Sequence, residues 1–126
     1  MTDEREHILK EGFPVFRHTA FYCGDGWFPL LSDLGLHLDG LPFDVVECKE
    51  KFGGLRVHYA PHEDVEVIEA QYQAVAAAVL EAERRSFVTC EACGAPGIRI
   101  QAGWLYVRCA TCASAMYAAL QRPLEA

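Results

Sequence analysis

The apolar positions along this 126-residue chain change their spacing from segment to segment, and each change predicts an element. Thr2 to Glu11 is a charged stretch that reads as a short helix stopped by Gly12, with Ile8 and Leu9 as its only strong apolar positions. Phe13-Pro14-Val15-Phe16 and Phe21-Tyr22 read as extended, aromatic-rich pieces that pack on a core. Trp27, Leu30, Leu31, Leu34 and Leu38 then recur at helical spacing. Asp25 suits the N-cap of that helix, Pro29 falls in its first turn, and the end is expected near Asp39-Gly40. Phe43 to Phe52 and Leu55 to Tyr59 read as two strands joined at Gly53-Gly54, a dipeptide that supplies the positive φ angles of a tight hairpin. Simple alternation puts Val46 and Cys48 on one face and Glu47 and Lys49 on the other. From Glu63 to Phe87 an apolar stripe of Val65, Ile68, Tyr72, Val75, Val79 and Leu80 predicts a long helix. Acids crowd its start and Arg84-Arg85 its end, which suits the helix dipole. At 1.5 Å per residue such a helix is roughly 35 Å long.

The last third carries a different signature. Cys90-x2-Cys93 and Cys109-x2-Cys112 are two C-x2-C pairs with 15 residues between their inner members. Each pair can fold two thiolates onto one ion, and Gly94 permits the sharp turn of such a knuckle. Between them Ile98-Arg99-Ile100 alternates, Gln101-Ala102-Gly103 turns, and Trp104 to Arg108 returns. Knuckle, hairpin and knuckle make the plan of a zinc ribbon, with an apolar helical tail from Ala113 to Leu120. Four thiolates close a tetrahedral coordination sphere, so one structural Zn2+ held by Cys90, Cys93, Cys109 and Cys112 is expected rather than a catalytic one.

Composition places these elements in one domain, residues 1–126, with an acidic helix-and-hairpin part over 1–87 and a ribbon part over 88–121. The chain is 52% hydrophobic and 23% charged, which supports a core and excludes a disordered or collagen-like polymer. No apolar run long enough to span a membrane occurs, and the charged first residues do not read as a secretion signal, so a cytoplasmic protein is expected. In a reducing compartment, cysteines in this spacing are metal ligands before they are disulfides. The net charge of −7 is unevenly spread: residues 1–83 hold 16 acids against 6 Lys and Arg, and residues 84–126 hold 2 against 5. A surface of that kind repels a polyanion and suits a basic protein partner.

Two further readings concern chemistry. Glu47 and Lys49 share a strand face, and with Asp25 upstream they form the acid-then-E-x-K pattern of magnesium-dependent nucleases, in which carboxylates hold the metal and the lysine stabilises charge. Arg99, Arg108 and Arg122 beside Trp104 and Tyr106 could serve nucleic-acid binding, against the sign of the overall charge. His18, His37, His58 and His62 are scattered, and Cys23 and Cys48 stand alone. No phosphate-binding glycine loop, G-x-S-x-G elbow or H-E-x-x-H helix occurs.

Four stretches stand out in order along the chain: Gly24-Asp25-Gly26-Trp27 with Pro29-Leu30, Lys49 to Arg56, Cys90 to Gly97, and Gly103-Trp104-Leu105 before Arg108-Cys109. Over residues 22–112 they resemble a family of small, largely uncharacterised proteins of bacteria and their phages. The resemblance implies a role in conflict between mobile elements and hosts, such as toxin neutralisation, inhibition of a defence system or phage regulation. On that reading Asp25, Trp27, Phe52 and Arg56 are the first partner-binding candidates. The expected molecule is an α+β domain, a β-hairpin and a zinc-ribbon hairpin packed on a long central helix. Its expected role is non-enzymatic.

Overall fold

The computed structural model describes residues 1–121 and has an α+β architecture. Helix α1 spans Asp3–Gly12, and the Thr2 hydroxyl caps it by accepting from the Arg5 amide at 3.3 Å. A 3-10 turn (Pro14–Phe16), strand β1 (Ala20–Tyr22) and a second 3-10 turn (Asp25–Trp27) lead into α2 (Phe28–Leu38). Strands β2 (Phe43–Lys51) and β3 (Gly54–Pro61) form the hairpin, followed by α3 (Glu69–Ser86). The ribbon strands β4 (Ile98–Gln101) and β5 (Leu105–Arg108) precede α4 (Ala110–Leu120).

β1 runs parallel to β2, and β3 antiparallel to it, in the order β1-β2-β3. One face of this sheet is apolar because Phe21, Phe43, Val45, Cys48, Leu55 and Val57 point inward. Against it lie Leu30, Leu31, Leu34 and Leu38 of α2 and Val75, Val79 and Ala82 of α3. The free edge of β3 is closed by α3 rather than by another strand. Its Leu55 amide donates to Ser86 Oγ at 2.9 Å and its Val57 amide to Glu83 Oε2 at 3.1 Å. These side chains remove two of the donors that an exposed edge would offer to a foreign strand.

Five local expectations change. Pro14–Phe16 forms a 3-10 turn where an extended piece is expected, its proline setting the first position. Asp25 does not cap α2: its carboxylate accepts from the Thr2 amide at 2.8 Å and pairs with Arg5 at 3.2 Å, tying α1 to the loop before α2. The register shifts between Val45 and Glu47, so Val46 is turned outward while Val45 and Cys48 are buried. The hairpin turn is Phe52-Gly53, one residue earlier than expected, with φ of 54° and 87°. Positive φ at both central positions is the type I′ turn, and Gly54 has a different duty, since a Cβ there would strike the Phe87 ring. Finally, α3 starts at Glu69 instead of Glu63. His62 is held back to the start of β2, its amide donating to the Pro42 carbonyl at 2.9 Å and its ring 3.1 Å from Asp44, and residues 62–68 connect β3 to the helix without coiling.

Candidate metal centre

The two cysteine pairs converge. One thiol sulfur from each of Cys90, Cys93, Cys109 and Cys112 lies within 4.8 Å of the other three, and Cys93 and Cys109 Sγ are 3.6 Å apart. Among the described residues this is the one group of three or more His, Cys, Asp or Glu side chains arranged to hold a metal ion. The first pair sits on a turn in which Gly94 N donates to the Cys90 carbonyl at 2.8 Å. The second opens α4, where Cys109 Sγ accepts from the Cys112 amide at 3.4 Å.

Electrostatics divides the four thiols. Burial works to raise the pKa of Cys90, but the amides of Cys109, Cys93 and Ala92 overcome it and bring the thiol down to about 6. The Cys112 amide likewise lowers Cys109. The neighbouring Cys109 and Cys93 thiols push Cys112 up to about 12. For Cys93 the Ala95 amide favours the thiolate, and the Cys109 thiol and burial outweigh it, so its pKa rises. Four thiolates this close repel one another, and a cation is what would let all of them ionise.

The cysteine cluster is bolted to the body by the Gly24-Asp25-Gly26-Trp27 segment. Gly26 N donates to the Glu91 carbonyl at 2.7 Å, Gly24 N to Glu91 Oε2 at 2.8 Å, and the Trp27 indole to the Thr89 carbonyl at 3.1 Å. The backbones meet so closely that a Cβ on Gly24 would stand 2.5 Å from the Glu91 carbonyl oxygen, and one on Gly26 would run into that of Cys90. Glu91 is nearly enclosed, and its other oxygen lies 3.7 Å from Arg108, the residue before the second pair. Burial raises its pKa, opposed by the Gly24 amide and the Arg108 charge.

A second bolt joins the hairpin turn to the ribbon. Phe52 stacks on Trp104 with ring centroids 5.6 Å apart, and Glu50 Oε1 accepts from both Gly53 N (2.7 Å) and the Trp104 indole (3.1 Å). The ribbon therefore docks on the hairpin turn and the loop before α2, not along α3 as expected. Glu91, Glu50 and Trp104 are the contacts that sequence spacing missed. An acid inside the first C-x2-C and an arginine just before the second was the available signal.

The other candidates separate. Trp27, expected on a partner surface, is fully buried in the core cluster, with its indole N–H donating to the Thr89 carbonyl. Phe52 is about half exposed, and Arg56 stands on the open sheet face opposite Lys49. Glu47 pairs with Lys49 at 3.9 Å, whereas Asp25 is engaged by Arg5 and Thr2. Arg99 lies over Phe87 and Arg108 over Tyr106; Arg122 lies outside the described residues. Cys23 and Cys48 are buried in the core. No helix among the described residues is long and apolar enough to cross a membrane. Comparison with protein families, with curated proteins and with solved structures found no match.

Proposed function

We propose that the four thiols hold one structural zinc ion and that the chain is a non-enzymatic zinc-ribbon interaction protein, which binds a protein partner and neutralises or regulates it. The observation that carries this reading is the closed donor set. Thiolates bound tetrahedrally to zinc at ~2.3 Å stand about 3.8 Å from each other, and the 3.6 Å between Cys93 and Cys109 is of that size. With four sulfurs on the ion no position is left for water, so the metal supplies rigidity and not hydrolysis. The amides around the sulfurs and the Glu91 anchor support the same role. The acidic body favours a basic partner surface, and the resemblance to small bacterial and phage proteins suggests immunity or anti-defence as the setting.

Metal analysis combined with capture from the native host tests the reading. About one zinc per chain and a stoichiometric protein complex that survives Glu47→Ala and Lys49→Ala are expected. Metal-dependent cleavage of nucleic acid, lost in those two variants, would sink it in favour of a nuclease.

A further inference from the structure

Helices α2 and α3 cover one face of the three-stranded sheet; the other face is open, with Tyr22 66% exposed and Lys51 and Arg56 exposed beside it. Register fixes what stands together there. Phe21, Cys48 and Val57 are partners across the strands and point into the core, so the next row, Tyr22, Lys49 and Arg56, points outward. Neighbouring strands lie about 4.8 Å apart, which sets these three side chains in a row roughly 10 Å wide. Two of them are cations directly opposite each other, an arrangement that destabilises a sheet. Lys51, two residues along β2, adds a third cation on the same face. Glu47 reaches Lys49 only at 3.9 Å, and Arg56 and Lys51 enter no ion pair among the described residues.

The chain holds 18 acids against 11 Lys and Arg, so composition does not force a like-charged pair across two strands. An anion seated between Lys49 and Arg56 turns their repulsion into attraction. The neighbouring ring selects the kind of anion. Tyr22 has no aromatic or cation partner among the described residues, whereas Phe52 is stacked on Trp104 and has the Lys51 ammonium 5.8 Å from its ring centroid. An exposed, unengaged ring in line with cations is what a base and its flanking phosphates require, while an acidic peptide would leave the ring idle. The half-exposed Phe52 and Trp104 pair offers a second ring surface, about 10 Å along β2 from Lys49. The overall charge of −7 disfavours a long polyanion. Charges more than about 8 Å away are largely screened at physiological ionic strength, so the cationic row governs a short contact.

We propose that the open sheet face binds a short single-stranded nucleic-acid segment, with a base stacked on Tyr22 and the adjoining phosphates on Lys49, Arg56 and Lys51. The contact is binding only, and no bond is made or broken in it. Every base has a face to stack, so sequence preference is slight. The acids elsewhere on the body confine the contact to a few nucleotides and make it sensitive to salt. It is a second ligand class for this chain, separate from the cysteine cluster and from the protein partner proposed above.

Fluorescence anisotropy of labelled oligouridylate and oligothymidylate, each about 12 nucleotides long and titrated with the full chain, tests the contact and separates RNA from DNA. At least one strand is expected to bind below about 500 µM chain. With three cations on phosphates, the logarithm of affinity is expected to fall against the logarithm of salt concentration with a slope of about −2. Tyr22→Ala is expected to weaken binding at least about fivefold with circular dichroism unchanged, and Arg56→Gln to make the salt slope shallower by about 0.7. If Tyr22→Ala disturbs the edge strand, Tyr22→Leu decides, since it keeps apolar bulk without the ring. A chain that binds neither strand overturns the proposal. Binding that is unchanged in both Tyr22 variants overturns it too, as does displacement of the strand by an equal concentration of oligoglutamate, which would make the face a dock for an acidic protein segment.

Discussion

A methyl group placed on Gly26 would stand 2.6 Å from the Glu91 carbonyl carbon and collide with the Cys90 carbonyl, so the side-chain-free backbone there is a packing requirement of the metal knuckle. The same scale governs the two cysteines outside the cluster. Burial, aided by the Glu91 carboxylate, pushes the Cys23 thiol up to about 12 from an ordinary value of 9.0, and burial also holds Cys48 well above that value. Below pH 9 both thiols are protonated whether the chain is folded or not, and they add no pH dependence. Between pH 9 and 12 the unfolded chain releases a proton that the folded chain keeps, so stability falls as pH rises, by about 1.4 kcal/mol per pH unit for each such thiol. Urea unfolding at pH 8 and pH 10 is expected to show this decline, and a shallower one in Cys23→Ala. An equal decline in that variant would remove Cys23 as its source.

At the scale of elements, the parts legible in sequence are those set by local periodicity. The 3.6-residue spacing of Leu30, Leu31, Leu34 and Leu38 yields α2, and the cysteine spacing yields the ribbon. What local pattern hid was decided by distant contacts. Phe52 takes a left-handed backbone although Gly54 lies two residues on, because Gly54 is needed where the Phe87 ring leaves no room for a Cβ, and the Trp104 stack holds Phe52 in place. The outward turn of Val46 comes from a bulge that no alternation rule foresees. The link between α3 and β3 was equally silent, since Ser86 and Glu83 read as ordinary helix residues. Ser86→Ala strips the buried Leu55 amide of its acceptor and is expected to cost about 1–3 kcal/mol. Denaturant unfolding measures this, and light scattering is expected to report faster aggregation as the β3 edge opens. Unchanged stability would mean that the helix does not close that edge.

For the whole molecule, charge and metal ligands divide along the chain while the contacts join what they divide. The acids lie on the body, the four clustered cysteines lie in the ribbon, and Glu91 bridges the two through Gly24, Gly26 and Arg108. Of the two motifs with the strongest look of a binding surface, Gly24 to Trp27 is consumed in seating the ribbon, whereas in Phe52 to Arg56 only the turn meets the ribbon, through the Phe52 stack on Trp104, and Arg56 stays exposed. On the proposed zinc reading, metal binding in such an arrangement is folding energy for the loop before α2 as well as for the knuckles. Hydrogen exchange at the Gly24 and Gly26 amides, followed in the zinc-loaded chain and again after chelation, measures that coupling most directly. Both amides are expected to be protected with the metal and to lose at least about tenfold of that protection without it, a loss of about 1.4 kcal/mol of local stability. Protection that stays the same while the metal leaves would contradict the account, because the knuckle would then be a passenger on a body that holds its own shape.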